Sequence, residues 1–341
     1  MKNISYEDLI SVIVITYNEE KTIARTLDSI LAQKCHLPVE IVLGEDGSTD
    51  NTRAVCEKYA DRYPGIIRLM EKAPNKGLID NYFDCLLACR GKYIADCAGD
   101  DFWVDPLKLE KEVTIMENNP DVTLVHTAWA YYDEDTGRTW RQRLKTFTNK
   151  ITDGKNMLEA IATQTNGCII HLCSALYRTE NIINEYNKNI FLFRNKDFGC
   201  EDLQICFVMA ANGKIAYIPD ITLYYGYRST SVTNQKDEKA QFLFTKRITD
   251  LSFYLCKRYK LNSKTINLYF KKRLFALTMH AFRCKDKDLH KEVRKCSNNW
   301  HTPLPWQART ADVIMSNPVT WNLFLLIRKL FVTAKSIVRK H

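Results

Sequence analysis

No two of the twelve cysteines in this 341-residue chain form a Cys-x-x-Cys pair. So many cysteines invite a disulfide or zinc reading, and their spacings argue against it. Cys85, Cys89 and Cys97 fall instead inside apolar helix or strand patterns. The cysteines therefore read as reduced, buried small hydrophobes of a cytosolic protein. Residues 1–9 are polar and acidic, and no signal peptide is expected before the first strand. No apolar run reaches the ~20 residues that a bilayer span needs. The longest, near the C-terminus, is broken by Arg328 and Lys329. Internal repeats, low-complexity linkers and nucleic-acid recognition motifs are missing as well, and a nucleic-acid partner is not expected.

What is present is an ordinary globular composition, 45 % apolar and 26 % charged, enough for one large α/β domain and an appendage. The net charge of +9 gathers in the last third, in stretches such as "KKRLF" and "LIRKLFVTAKSIVRK". An excess of this kind suits anionic substrates or an anionic membrane surface.

The first half alternates strand and helix. "SVIVIT" (11–16) is a continuous β-branched run and reads as a strand buried on both faces, and "EIVLGE" (40–45), "IIRLME" (66–71) and "KYIADC" (92–97) read as three further strands. Between them, Asn18 is expected to cap a helix with Ile23, Leu27, Ile30 and Leu31 on one stripe. "STDNT" opens a second helix and residues 78–89 form a third. Such repetition with short loops predicts right-handed crossovers and a mostly parallel sheet, whose ligands bind at the carboxyl ends of the strands. Asp105-Pro106 starts a fourth helix. Beyond it, "VTLVHTAWAYY", "IIHLCSALYR" (169–178), "KIAYIP" and "TLYYGYR" read as mixed or antiparallel strands, with a helix at 201–213. From about residue 236 the chain is expected to be helical.

Each strand of the first hundred residues ends in a polar cluster: Thr16-Tyr17-Asn18-Glu19, Glu45-Asp46-Gly47-Ser48, Asn75-Lys76-Gly77 and Asp100-Asp101. Turns favour such residues anyway, but four in succession along one sheet edge make a crevice with acceptors for a base or ribose and carboxylates for a cation. The pair Asp100-Asp101 is the sharpest feature. Adjacent carboxylates repel unless a cation or hydrogen bonds compensate them, and Mg²⁺ or Mn²⁺ is commonly held by one or two carboxylates plus substrate phosphates.

"SVIVITYNEEKTIARTLDSILAQ", "EIVLGEDGSTDNT" and "GKYIADCAGDDFWVDPLKLEKE" resemble the successive blocks of family-2 glycosyltransferases of the GT-A fold, in the branch that builds bacterial surface polysaccharides. The resemblance covers about residues 10–235. It implies a GT-A catalytic domain over 1–235, with a nucleotide-binding half at about 10–105 and an acceptor half at 106–235, followed by a helical region at 236–341. It also implies a nucleotide-diphospho-sugar donor, a UDP-sugar first among them, and a Mn²⁺ or Mg²⁺ cofactor. Transfer would go with inversion to a saccharide or lipid-linked saccharide. By position, Thr16, Tyr17 and Glu19 are implied to wrap the nucleoside, Asp46 to recognise the base, Asn75 to line the donor site, and Asp100 with Asp101 to hold the metal. The family has Asp or Glu where this chain has Ala98, so one carboxylate is missing. Asp96, one strand period earlier, is expected to lie too deep to replace it.

Inversion needs a base for the acceptor hydroxyl. Glu201-Asp202 precede an apolar helix where the family carries its Glu-Asp motif, which implies Asp202 as base with Glu201 beside it. "YGYRSTSVTN" resembles a family segment that often holds a metal-reaching histidine. Here Ser229 and Thr230 stand in its place, and Arg228 is implied as a pyrophosphate contact. The QxxRW motif of processive synthases is absent, pointing to one sugar per encounter. His171 and Trp103 are weaker candidates, for acceptor and sugar contact.

Two other functions compete. A sugar nucleotidyltransferase would be expected to show a glycine-rich basic loop after the first strand, and "TYNEEKT" is not one. A non-catalytic nucleotide or sugar binder fits Ala98 but not the retained acids. Finally, residues 318–339 show helical spacing with Arg328, Lys329, Lys335 and Arg339 and no acid. They are expected to lie on an anionic membrane, placing the protein peripherally on the inner face of the plasma membrane.

Overall fold

The architecture is that of a computed structural model, which describes residues 6–141, 151–165, 170–227, 237–284, 286–316, 319–321, 323 and 326. It divides into two compact units, residues 1–231 and 232–341.

In the first unit the expected alternation is present: β1 (Glu7–Thr16), α1 (Ile23–Leu31), β2 (Val39–Glu45), α2 (Thr52–Arg62), β3 (Ile67–Leu69), α3 (Leu78–Ala88) and β4 (Gly91–Asp96). Then follow β5 (Phe102–Trp103), α4 (Lys108–Asn118), β6 (Val122–Asp133), β7 (Thr139–Trp140), β8 (Ile151–Asp153), α5 (Leu158–Thr163), β9 (Ala175–Arg178), α6 (Thr179–Lys188), α7 (Ile190–Arg194), α8 (Asp202–Asn212) and β10 (Lys214–Tyr227). One mixed sheet runs in the order β3-β2-β1-β4-β9-β6-β10-β5, with β7 on β6 and β8 on β10. The first four are parallel, β9 is antiparallel to both β4 and β6, and β10 runs parallel to β6. The register sets Thr16 beside Glu45 and Ile13 beside Asp96, so β1, β2 and β4 finish at one edge. β-Branched residues on both faces of β1, with Ile10, Val12 and Val14 fully buried, explain why this strand lies inside the sheet.

Several sequence expectations are corrected. The strand expected at 169–178 is only Ala175–Arg178. Before it, residues 172–174 form a 3₁₀ turn, closed by the N–H and Oγ of Ser174 donating to the His171 carbonyl. β3 keeps three of its six expected residues. "KIAYIP" and "TLYYGYR" are one strand, β10, whose register shifts between Ile218 and Leu223, around Pro219, which has no N–H for the ladder. Asn18 does not cap α1. It lies at φ 57°, and its Oδ1 accepts from Thr49 N–H at 2.8 Å, tying the first strand-end loop to the second.

The second unit holds α9 (Glu238–Arg258), α10 (Lys264–Cys284), α11 (Lys287–Asn299) and α12 (Trp306–Ser316). The stripe of α9 buries Ile248, Leu251 and Leu255, and Asp237 and Asp286 cap α9 and α11 by accepting N–H bonds. Among the described residues no helix is long and apolar enough to cross a membrane. The basic residues of the expected membrane helix at 318–339, and Arg228, lie outside the described residues.

Candidate active site

The four strand-end loops are fastened to one another by hydrogen bonds that their own polar residues supply. Asn18 N–H donates to Ser48 Oγ at 2.9 Å, and Asp46 N–H to the Thr16 carbonyl at 3.0 Å. The Asp46 carboxylate accepts from Lys76 and Gly77 N–H, each at 2.9 Å, so the second loop holds the third. Gly47 makes this approach feasible: at φ +68°, a Cβ there would stand 2.7 Å from Asn75 N. The fourth loop is held by Gly99 N–H on the Ile15 carbonyl and by Thr26 Oγ1, which lies 3.0 Å from the Gly99 and 2.6 Å from the Asp101 carbonyl.

Between the loops is an open cleft of about 250 Å³. Thr16, Tyr17, Glu19, Asp46, Asn75 and Asp100, six of the seven residues implied for the donor, line it together. Ala98, Gly99, Gly77, Leu78 and Asn81 complete much of the wall. Tyr17 is 45 % exposed, leaving its ring free for a flat ligand, while Thr16 and Asp46 are buried. Ala98 brings no carboxylate to the cleft.

The two aspartates of the opening pair part company. Asp101 N–H donates to the Ala98 carbonyl at 2.9 Å, closing a turn over 98–101. Successive side chains diverge there: Asp100 lines the cleft, whereas Asp101 is fully buried. Asp101 Oδ1 accepts from Gly226 N–H at 2.9 Å and Oδ2 has no hydrogen-bond partner. Burial, then the charge of Asp100, pushes its carboxyl well above the usual range. Asp101 is thus not placed to share a cation in the cleft with Asp100, which corrects the paired reading.

Arg25, which the sequence did not single out, steadies this turn. Its guanidinium lies 4.0 Å from the centroid of Phe102, pairs with Glu134 at 2.5 Å and donates to the Asp100 carbonyl at 3.3 Å. A pair 109 residues apart leaves no local signal. Trp103 is core rather than sugar-facing: it is buried, and its Nε1 donates to the Cys173 carbonyl at 3.0 Å. His171 is wedged against Trp129 and Tyr225, and burial pushes it down to about 4.

Glu201 and Asp202 sit at the start of α8, both half-buried. Asp202 Oδ1 accepts from Leu203 N–H at 2.7 Å. Burial and then the neighbouring Asp202 push Glu201 up to about 8, and burial raises Asp202 as well. Asp96, as expected, is deep: Tyr82 OH donates to its Oδ1 at 2.6 Å, and burial pushes it up to about 7 against the pull of Tyr82 and Tyr177. The charge of Asp202 helps to raise Asp96, and that of Asp96 helps to raise Glu201, so the acidic pair of α8 lies near the end of β4.

The sequence model of Glycosyl transferase family 2 matches residues 11–184. A protein of Mycobacterium tuberculosis of uncharacterised function is 40 % identical over 125 residues, 36 % of this chain and 36 % of that protein. The putative glycosyltransferase EpsE of Bacillus subtilis is 37 % identical over 125 residues, 37 % of this chain and 44 % of EpsE. These alignments span well under half the length of the relatives. The structure of the mannosyltransferase PcManGT from Pyrobaculum calidifontis, in complex with GDP-Man and Mn²⁺, superposes with a TM-score of 0.52 at 19 % identity, covering 96 % of this chain and 81 % of that one. With the family model spanning half of the sequence, the crossed parallel strands and the strand-end cleft find their place: the chain belongs to glycosyl transferase family 2 and has the GT-A fold.

Proposed function

We propose that the protein is a metal-dependent, inverting, non-processive glycosyltransferase. It takes a hexosyl or N-acetylhexosaminyl group from a nucleotide-diphospho-sugar, a UDP-sugar first among the candidates. It delivers this group to a saccharide or lipid-linked saccharide of the cell surface, working peripherally on the inner face of the plasma membrane. The observation that carries this reading is the convergence on one cleft of six residues, from four separate loops, that the family resemblance implies for the donor. PcManGT, a structural neighbour, holds GDP-Man and Mn²⁺, and EpsE is a putative glycosyltransferase.

In this reading Tyr17 stacks on the base or ribose. Asp46, already fixed by two N–H donors, offers its remaining lone pairs to the base. Asp100 is the carboxylate that would hold the cation, and with Glu19 near it in the cleft the hard oxygen donors suit Mg²⁺ or Mn²⁺. When bound, such a cation neutralises charge developing on the departing diphosphate. As the acceptor oxygen bonds to the anomeric carbon and the bond to the diphosphate breaks, Asp202 takes the hydroxyl proton. Its raised affinity for a proton suits that task.

The test is release of nucleoside diphosphate from a panel of nucleotide sugars, with and without EDTA. Loss of release in EDTA and recovery with Mn²⁺ is expected; undiminished turnover in EDTA contradicts the metal. Release of pyrophosphate from a nucleoside triphosphate and a sugar phosphate would instead establish a nucleotidyltransferase.

A further inference from the structure

Behind the cleft-lining turn lies a second group of ligand atoms. A carboxylate oxygen of Asp101, a ring nitrogen of His171 and Sγ of Cys173 all lie within 4.8 Å of one another. Two of these side chains carry buried polar atoms without a hydrogen-bond partner, Asp101 Oδ2 and His171 Nδ1. Asp101 is fully buried, so its open oxygen has no water to turn to. The Cys173 thiol pulls on the Asp101 carboxylate, but a thiol is a weak donor, so the buried carboxylate is poorly compensated.

We propose that Asp101, His171 and Cys173 bind a zinc ion that staples the turn at 98–101 to the turn at 171–174. The donor set is one sulfur, one nitrogen and one oxygen, which suits Zn²⁺ and not the Mg²⁺ or Mn²⁺ of an oxygen-lined cleft. Bonds of about 2.0 Å to nitrogen and oxygen and about 2.3 Å to sulfur set tetrahedral ligands about 3.5 Å apart, within reach of side-chain rotation from the observed spread. The supporting contacts are in place. Ala98 N–H donates to Cys173 Sγ at 3.4 Å, Trp103 Nε1–H to the Cys173 carbonyl, and Gly226 N–H to the second oxygen of Asp101. His171 and Cys173 are half-buried, which leaves an approach from solvent. On binding, the Cys173 thiol releases its proton to solvent and the sulfur coordinates as thiolate. The fourth position falls to water. None of the three ligands lines the cleft, whose wall includes Asp100 instead.

The account is tested on the full chain without nucleotide. Metal analysis after equilibration with Zn²⁺ and desalting should give a single zinc per chain. Co²⁺ in its place should give a thiolate-to-metal charge-transfer band. Cys173→Ser, which keeps an acceptor for Ala98 N–H, should lose the band, and His171→Ala should weaken zinc binding at least tenfold. Asp100→Ala and Cys35→Ser should retain both, the latter because Cys35, His36 and Glu110 form a separate, more exposed group. Absence of zinc and of the band in the wild-type protein overturns the proposal, as does a Cys173→Ser protein that binds like wild type. Neither readout uses sugar transfer, so a failure of the proposed activity leaves the result intact.

Discussion

The turns at 98–101 and 200–202 each set two acids side by side, and they use them in opposite ways. At the first, the backbone reverses between Asp100 and Asp101, sending one carboxylate to the cleft and the other into the core. At the second, Glu201 stands just before α8 without a capping bond and Asp202 begins the helix, so both stay half-buried and the charge of Asp202 bears on Glu201. Burial, reinforced by the charge of Asp100, favours the neutral form of Asp101, so Asp100 is the carboxylate left to meet a cation in the cleft. Proximity does the reverse for Glu201 and Asp202: two acids that share a poorly hydrated place hold on to a proton into the neutral range. A motif of two adjacent acids therefore says little until the turn beneath it is known.

The largest effect expected is at the second turn. Asp202→Asn keeps the shape but cannot accept a proton, and transfer should fall by ~10²–10⁴-fold. Nucleotide affinity, measured by titration, should hardly change; a parallel collapse of binding would move Asp202 to the donor site.

A pH profile sharpens the same contrast. With burial raising Asp202, the rate should climb with pH along a limb displaced above the ordinary carboxylate range, as Asp202 loses its proton. Glu201, pushed up to about 8 by burial and by the charge of Asp202, keeps its proton while Asp202 ionises, so Glu201→Gln should leave that limb in place. A limb that moves would mean that Glu201 is charged when Asp202 titrates.

Stability should run the other way. Asp96 and Glu112 are pushed up to about 7 by burial, and Glu201 to about 8. The folded protein keeps protons on these acids that the unfolded chain releases. Their contribution is complete below the ordinary carboxylate range and is lost as pH rises through about 7 to 8. His126 and His171, pushed down by burial to about 3 and about 4, cost stability only as pH falls below the usual imidazole value. The melting temperature should therefore fall between roughly pH 5 and 8 and level off above, and Asp96→Asn should flatten that slope. A slope unchanged by the substitution would contradict the buried-acid account of Asp96.

The smallest effect concerns the support of the first turn. Arg25→Ala removes the Glu134 pair, the contact with Phe102 and one bond to the Asp100 carbonyl. It should cost about 1–2 kcal/mol of stability and raise the KM for donor more than it lowers kcat. A change confined to kcat would place Arg25 in the chemistry instead.

Much of this was legible in the residues, for physical reasons. β1 announces itself through a β-branched run that suits a doubly covered strand, β2 and β4 through shorter apolar stretches, and parallel strands with short crossovers put their polar loops on one edge. That is why Thr16, Glu19, Asp46, Asn75 and Asp100, each at or after a strand end in the sequence, line one cleft in the fold. The 171–174 turn was hidden because "HLC" is compatible with a strand, and only the capture of the His171 carbonyl by Ser174 breaks it. The fate of Asp101 was hidden too. It depends on Gly226 and Cys173, 125 and 72 residues away, and no spacing rule reports them.

The central claim is that the cleft binds a nucleotide diphosphate through a cation held by Asp100. Its most direct test is calorimetric titration of UDP and GDP into the wild-type protein and Asp100→Ala, each with and without Mn²⁺. Mn²⁺ should tighten binding of one nucleotide to the wild type and leave Asp100→Ala unaffected. Equal Mn²⁺ enhancement in both proteins, or no nucleotide binding at all, would contradict the account.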